Sequence, residues 1–337
     1  MTLRVTATPT TRRRLCEEAM KHLYFASCSE QGGIYHYVLS GEKLNFKEKL
    51  SLDRPMYMVV EGKKAYIILR ETDCERHFGG LVTCDIDSDG KLVNLTDTVS
   101  TNGIVPCHLA VDNGQVWTVN YLSGNIVKMP ATTVIHEGKG VDPVRQDAPH
   151  THFVTVAPDG YLLCCDLGLD TIFTYDKDLN EVASAKVPDG MGCRHLEFSE
   201  DGKTIWCVNE MGNTVSIFDY CGGRLTLRET VDALPGFNGK NTAAAIRRGG
   251  KYLYVSHRGA DSVARFEILP DNGLKLLETT PVGGASPRDI LIVYGLLFCA
   301  NELTDNVTVF KLSDSKPVKQ HDELLMSHPL CICAVEI

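Results

Sequence analysis

The sequence has few aromatic residues, 7% of its 337 positions, and no apolar run of the roughly 18 residues that a membrane-spanning helix requires. The longest such run, Ile290 to Ala300, is interrupted by Gly295 and reads as a buried strand. Basic residues are in deficit, 34 against 43 acidic ones, for a net charge of −9. That balance argues against nucleic acid as a partner, because phosphate backbones are bound by basic surfaces. A small anionic ligand stays open, since a few focused arginines can reverse the local potential. No paired CxxC is present, so the thirteen cysteines offer no zinc-finger spacing. Most sit inside apolar runs such as Leu162-Leu163-Cys164-Cys165 and read as small core residues. Their odd number, without a secretion signal, points to reduced thiols in a cytoplasmic protein.

Also missing is any long stretch with a 3.6-residue apolar period, which excludes a doubly wound α/β fold. What is present is a repeat. A short element, proline or a substitute followed by polar residues and an apolar run, occurs at Pro55, Pro106, Pro149, Cys193, Thr242, Pro287 and Pro329. A polar pair closes a second apolar strand downstream of the first six: Arg70-Glu71, Asn120-Tyr121, Cys165-Asp166, Asn209-Glu210, His257-Arg258 and Asn301-Glu302. Turn signals such as Pro158-Asp159-Gly160 lie between the two elements and mark a β-hairpin. A third strand and a more polar fourth follow, as in Leu225 to Val231. Four strands about every 40–50 residues is the pattern of a propeller blade; β-solenoid repeats are usually shorter. Six full blades occupy residues 55 to about 326. A seventh is completed by three strands in residues 22–52 and an innermost strand in Pro329 to Ile337. The expected fold is therefore an all-β, seven-bladed propeller over residues 20–337. Residues 1–19, with Arg12-Arg13-Arg14, form an extension that is excluded from it.

In an antiparallel hairpin the start of one strand lies beside the end of the next. The repeated elements therefore converge on one mouth of the central channel. The expected ring contains Glu71, His108, Asn120, His150, His152, Asp166, Arg194, His195, Asn209, Glu210, His257, Arg258, Arg288, Asn301 and Glu302. Each taken alone has a plain structural explanation; their convergence is what suggests a ligand site.

The motifs Pro106-Cys107-His108-Leu109, Pro149-His150-Thr151-His152, Arg194-His195-Leu196-Glu197-Phe198, Asn209-Glu210, Arg258-Gly259-Ala260-Asp261-Ser262 and Pro287-Arg288 occur in order. With them the chain resembles the lactonase propellers, which include bacterial 6-phosphogluconolactonases and fungal carboxy-cis,cis-muconate cyclases. The resemblance covers residues 22–337. It implies hydrolysis of a small anionic lactone, with 6-phosphogluconolactone of the pentose phosphate pathway as the leading substrate and no cofactor. It places the active-site groups at His150, His152, Arg194, Glu210 and Arg258.

Lactone hydrolysis needs a base for water, a cation facing the developing oxyanion and a clamp for the substrate's anion. Glu210 or one of the two histidines is assigned as base, Arg194 as the oxyanion partner, and Arg258 with Arg288 as the clamp. His108, Asn120, His195 and Glu71 complete the substrate-binding set. The chain departs from the family pattern at Cys193, His257 and Arg70, where proline, asparagine and an apolar or asparagine residue are expected. Three other readings stay open: a lactonising cyclase, a propeller that binds a metabolite or protein without catalysis, and a calcium lactonase using Glu71, Asn120, Asn209 and Glu302. A metal-free site and a monomer or weak homo-oligomer are expected.

Overall fold

The computed structural model describes residues 20–337 except Glu42, Cys74, Ser315, His321 and Asp322. The extension at residues 1–19 lies outside the described residues. The polypeptide forms seven antiparallel sheets around a central channel. Each sheet is a blade whose innermost strand lines that channel. The innermost strands, in ring order, are Pro329–Glu336, Pro55–Glu61, Pro106–Asp112, Thr151–Val156, Cys193–Phe198, Thr242–Gly249 and Pro287–Val293. Each packs against the next, and the last returns to the first.

Blade 1 is assembled from both ends of the chain. Lys21–Ser27 pairs with Gly33–Ser40 on one side and with Pro329–Glu336 on the other. Met20 and Ile337 add two reciprocal backbone hydrogen bonds. Closure leaves no open sheet edge at the channel. The C-terminal strand also buries Leu330, Cys331 and Ile332. A chain ending at Leu325 is therefore expected to aggregate or to lose its cooperative thermal transition. A normal transition in that variant would show that blade 1 holds without its inner strand.

The blades are held together by apolar clusters between neighbouring sheets. Trp206, Val208, Val215 and Ile217 of blade 5 meet Ala243, Ile246, Leu253 and Val255 of blade 6. Trp206 is fully buried and its indole N–H donates to the carbonyl of Asn272. Cys164, Cys165, Cys193, Cys207, Cys299 and Cys331 are free and buried, as small core residues. In blades 2 and 7 the polar fourth strand is split into two short pieces. Leu92–Val93 and Val99–Ile104 pair with Phe78–Ile86, and Val318–Lys319 and Leu324–Leu325 pair with Asn306–Lys311.

One local irregularity recurs in all seven blades. The innermost strand carries extra residues near its start, so its pairing slips against the second strand. Cys193 pairs with Asn209 and His195 with Val208, leaving Arg194 bulged. The same slip occurs between Pro55 and Tyr57, Pro106 and His108, Thr151 and Phe153, Ala243 and Ile246, Pro287 and Asp289, and Pro329 and Cys331. A bulge re-aims side chains and breaks the simple alternation of faces.

Candidate active site

The bulges build one tier of the site. In six of the seven blades the displaced residue, Met56, Cys107, His152, Arg194, Arg288 or Leu330, lines a narrow recess in the channel. A second tier comes from the positions that close the second strands. Arg70, Tyr121, Glu210, Arg258 and Glu302 stand around a wider cavity of 440 Å³ above that recess, with Arg145 and Leu122 beside them.

Charge is concentrated here. Glu210 is almost fully buried and accepts from three guanidinium groups: Arg194 Nε at 2.9 Å, Arg258 Nη2 at 2.7 Å and Arg145 Nη2 at 2.5 Å. Burial opposes its ionisation, but the Arg258, Arg194 and Arg145 guanidinium groups outweigh that penalty and hold its carboxyl well below the usual range. Burial and the neighbouring Arg258 lower the Arg194 guanidinium to about 9, so it stays charged at neutral pH. Arg194 Nη1 donates to the carbonyl of Ala244 at 2.7 Å, which fixes the side chain in place.

His152 faces the same cavity. Its Nδ1 has no hydrogen-bond partner among the described residues. Burial first, then Arg194, keep its pKa well below 6.5, so the ring is neutral. Beneath it His108, His195, Tyr57 and Phe153 form a belt of rings. His108 lies 4.2 Å from both Tyr57 and Phe153 and 5.5 Å from His195, centroid to centroid. Burial also holds His108 and His195 well below 6.5. The belt meets the buried Arg247–Asp289 pair (2.8 Å), whose Arg247 donates to the Tyr57 hydroxyl at 3.2 Å and whose Asp289 also lines the recess.

Of the residues expected from sequence, His152, Arg194, His195, Glu210, Arg258, Arg288 and Glu302 line the cavity or its recess. Others do not share the mouth. His108 belongs to the deeper belt. Asn120, Asn209 and Asn301 turn into the blades: Asn120 donates to the Thr101 carbonyl, Asn209 to Thr214 and Ser216, and Asn301 to Asn306 and Thr308. Asp166 is held by His136 at 2.6 Å and His257 by Asn241 at 3.1 Å.

His150 precedes its strand, because the pairing equivalent to Cys193 with Asn209 is made by Thr151 with Asp166. Its ring stacks on Tyr121 at 4.5 Å, and so supports the cavity wall from behind. Glu71 is replaced at the cavity by Arg70, because Leu69 is the residue that pairs with Pro55. Glu71 is instead engaged by His77 at 2.8 Å and Arg54 at 3.8 Å. Among the described residues, the four oxygen donors considered for calcium do not converge. Two are the inward-turned asparagines and the other two, Glu71 and Glu302, face cationic side chains.

Arg145 was not expected from sequence. It lies on the connection between Thr132–Ile135 and Thr151–Val156, where buried Gln146 accepts from the N–H groups of Val141 and Asp142 and donates to the carbonyl of Leu167. This internal bracing presents Arg145 to Glu210 and to the Tyr121 hydroxyl. The signal available in sequence was length alone: a connection of this size without a strand is usually functional.

The comparisons agree with this architecture. The family described as "Lactonase, 7-bladed beta-propeller" matches residues 22–333. An uncharacterized protein of Lactococcus lactis subsp. cremoris is 31% identical, covering 86% of this chain and 92% of its own length. A crystal structure from Lactobacillus plantarum superposes with a TM-score of 0.86 at 27% identity, covering 94% of this chain and 100% of that one. A candidate 6-phosphogluconolactonase from Bacteroides fragilis gives 0.86 at 26% identity, with 98% and 100% coverage. Ring closure through both termini, the repeated bulge and the matched span lead to one assignment: the chain belongs to the lactonase family of seven-bladed β-propellers.

Proposed function

We propose that the chain hydrolyses an anionic sugar lactone, and that 6-phosphogluconolactone is its substrate. One observation carries the reading. In a chain of net charge −9, Arg70, Arg145, Arg258 and Arg288 converge on one cavity with Arg194 just beneath, against three carboxylates among the described residues, Glu210, Glu302 and, in the recess, Asp289. Such a cavity attracts anions and stabilises negative charge that forms inside it. Formation of 6-phosphogluconate here would give the chain a place in the pentose phosphate pathway.

His152 takes the proton of the attacking water. It is neutral and lines the cavity, whereas Glu210 is bound by three cations and is a poor proton acceptor. Water adds to the carbonyl carbon, and the carbonyl oxygen becomes an oxyanion facing Arg194. When the tetrahedral intermediate collapses, the ring C–O bond breaks and the leaving oxygen takes its proton from His152. Arg258 and Arg288 hold the anionic end. Glu210 keeps Arg194 and Arg258 aimed and offsets their mutual repulsion.

Acid release from 6-phosphogluconolactone by the purified protein, corrected for spontaneous hydrolysis, tests the proposal. Catalysis is expected, and a rate equal to the background would leave a binding propeller. The pH profile adds a second check. A histidine base works when neutral, and its lowered pKa in the free protein keeps kcat/KM flat down through pH 6.5. A bound anion offsets the arginine field that depresses His152. The acid limb of kcat is therefore expected at higher pH than that of kcat/KM. The reverse order would remove His152 as the base.

A further inference from the structure

The arginines around the cavity differ in how far the protein already satisfies them. Arg145, Arg194 and Arg258 all engage Glu210, and Arg194 and Arg258 also donate to the carbonyls of Ala244 and Ala243. Arg288 reaches Glu302 at 3.4 Å, longer than a typical charge-assisted hydrogen bond. Arg70 has no carboxylate partner among the described residues. Its nearest polar contact runs from Nη1 to the thioether of Met56 at 3.9 Å, and thioethers are weak acceptors. The adjacent carboxylate, Glu71, is turned away and occupied by His77 and Arg54.

The topology brings Arg70 and Arg288 to one wall. Arg70 closes the second strand of blade 2, and Arg288 is the bulged residue of blade 7. Blade 1 stands between them, with its innermost strand packed on both neighbours. The side chains between the two arginines are small or apolar. Leu330 and Met56 line the recess, and the Cys28 sulfur lies 3.4 Å from that of Met56. Burial pushes the Cys28 thiol up to about 11, so it adds no negative charge. Leu330, Met56 and Cys28 therefore put no charged acceptor between the two guanidinium groups, and Glu302 engages Arg288 only at 3.4 Å.

We propose that Arg70 and Arg288 form a subsite for a dianionic phosphoryl group, and that Arg70 sets the preference of this cavity for a phosphorylated over an unphosphorylated ring. The proposal deepens the lactonase reading and rests on it for the rest of the substrate. The planar guanidinium fork matches two phosphoryl oxygens at once, which an ammonium cannot reproduce. Arg194 on the opposite side, already committed to Glu210 and the Ala244 carbonyl, is left to the carbonyl end, and Arg258 stands between the two.

The test uses inorganic phosphate as probe, with calorimetric titration of wild type, Arg70→Met and Arg70→Lys. Arg70 is exposed and without a carboxylate, so Arg70→Met is expected to fold with an unchanged melting temperature in the absence of phosphate. Loss of a charge-assisted pair predicts phosphate binding weakened about 10–100-fold in Arg70→Met, with partial recovery in Arg70→Lys. The ratio of kcat/KM for a phosphorylated lactone to that for its unphosphorylated analogue should fall by a similar factor. Phosphate affinity unchanged in folded Arg70→Met, or equal losses on both lactones, would overturn the subsite. If wild type hydrolyses neither lactone, the phosphate titration still decides. A loss of phosphate affinity in Arg70→Met would then uphold the anion site while the lactonase reading alone fails.

Discussion

Glu210→Gln is expected to lower the stability of the folded protein by about 3–5 kcal/mol, the cost of removing one partner from a buried ionic cluster. The carboxylate is the shared acceptor of Arg145, Arg194 and Arg258, and its side chain is 5% exposed. Glutamine keeps the shape and one acceptor but removes the charge that offsets three cations. Inorganic phosphate can supply negative charge to the same cluster, so it should raise the denaturation midpoint of this variant more than that of wild type. The pH dependence has a defined sign. A depressed carboxyl pKa contributes stability that is present above 4.5 and lost as the pH falls through the lower folded-state value. The gap between wild type and variant should therefore persist at pH 5 and narrow only in stronger acid. Turnover is expected to fall as well, because Arg194 and Arg258 lose their common anchor. A variant as stable as wild type would show that the cluster does not need its central charge.

Arg194→Ala is expected to depress kcat about 10²–10³-fold, the usual cost of removing one donor to a developing oxyanion. Arg194 sits in the recess with Nε on Glu210 and Nη1 on Ala244, which leaves Nη2 without a protein partner among the described residues. A fixed cation of this kind acts on charge that exists only in the transition state, so KM should change far less than kcat. Arg258→Ala, which removes part of the anion clamp, should act mainly on KM. Chemical denaturation of the same variants separates catalysis from folding. Near-normal turnover per folded molecule in Arg194→Ala, together with lost stability, would reduce the residue to a structural ion pair.

The propeller was legible in the sequence because its information is periodic. Proline or a substitute opens an innermost strand, a turn follows, and a polar pair closes the second strand; repetition makes each weak signal count. Even the split blade could be read, since residues 22–52 lack an innermost strand and Pro329 to Ile337 supplies one. The site was legible to within one or two residues, and the bulge explains the remainder. Simple hairpin geometry puts His108 at the mouth, but the slip between Pro106 and His108 gives that position to Cys107 and sends His108 into the deeper belt. Counting from Pro149 selects His150, whereas pairing starts at Thr151 and delivers His152 to the cavity. The offset at Glu71 has a related cause, since the polar pair begins one residue after the last paired position, Leu69. The strand-end asparagines have the residue type of a ligand site, yet they satisfy hydroxyl, amide and backbone groups of their own or the neighbouring blade. Arg145 could not be placed, because its position depends on how the long connection folds over the mouth.

The central claim is that the arginine-lined cavity hydrolyses a lactone bearing a negative charge. Its most direct measurement is a comparison of kcat/KM for 6-phosphogluconolactone and gluconolactone, in one buffer free of phosphate and with spontaneous hydrolysis subtracted. The account predicts catalysis of the phosphorylated lactone, at least about tenfold more efficient than that of the neutral one and falling as salt is raised. Equal efficiency on the two lactones, or catalysis of the neutral one alone, would contradict it.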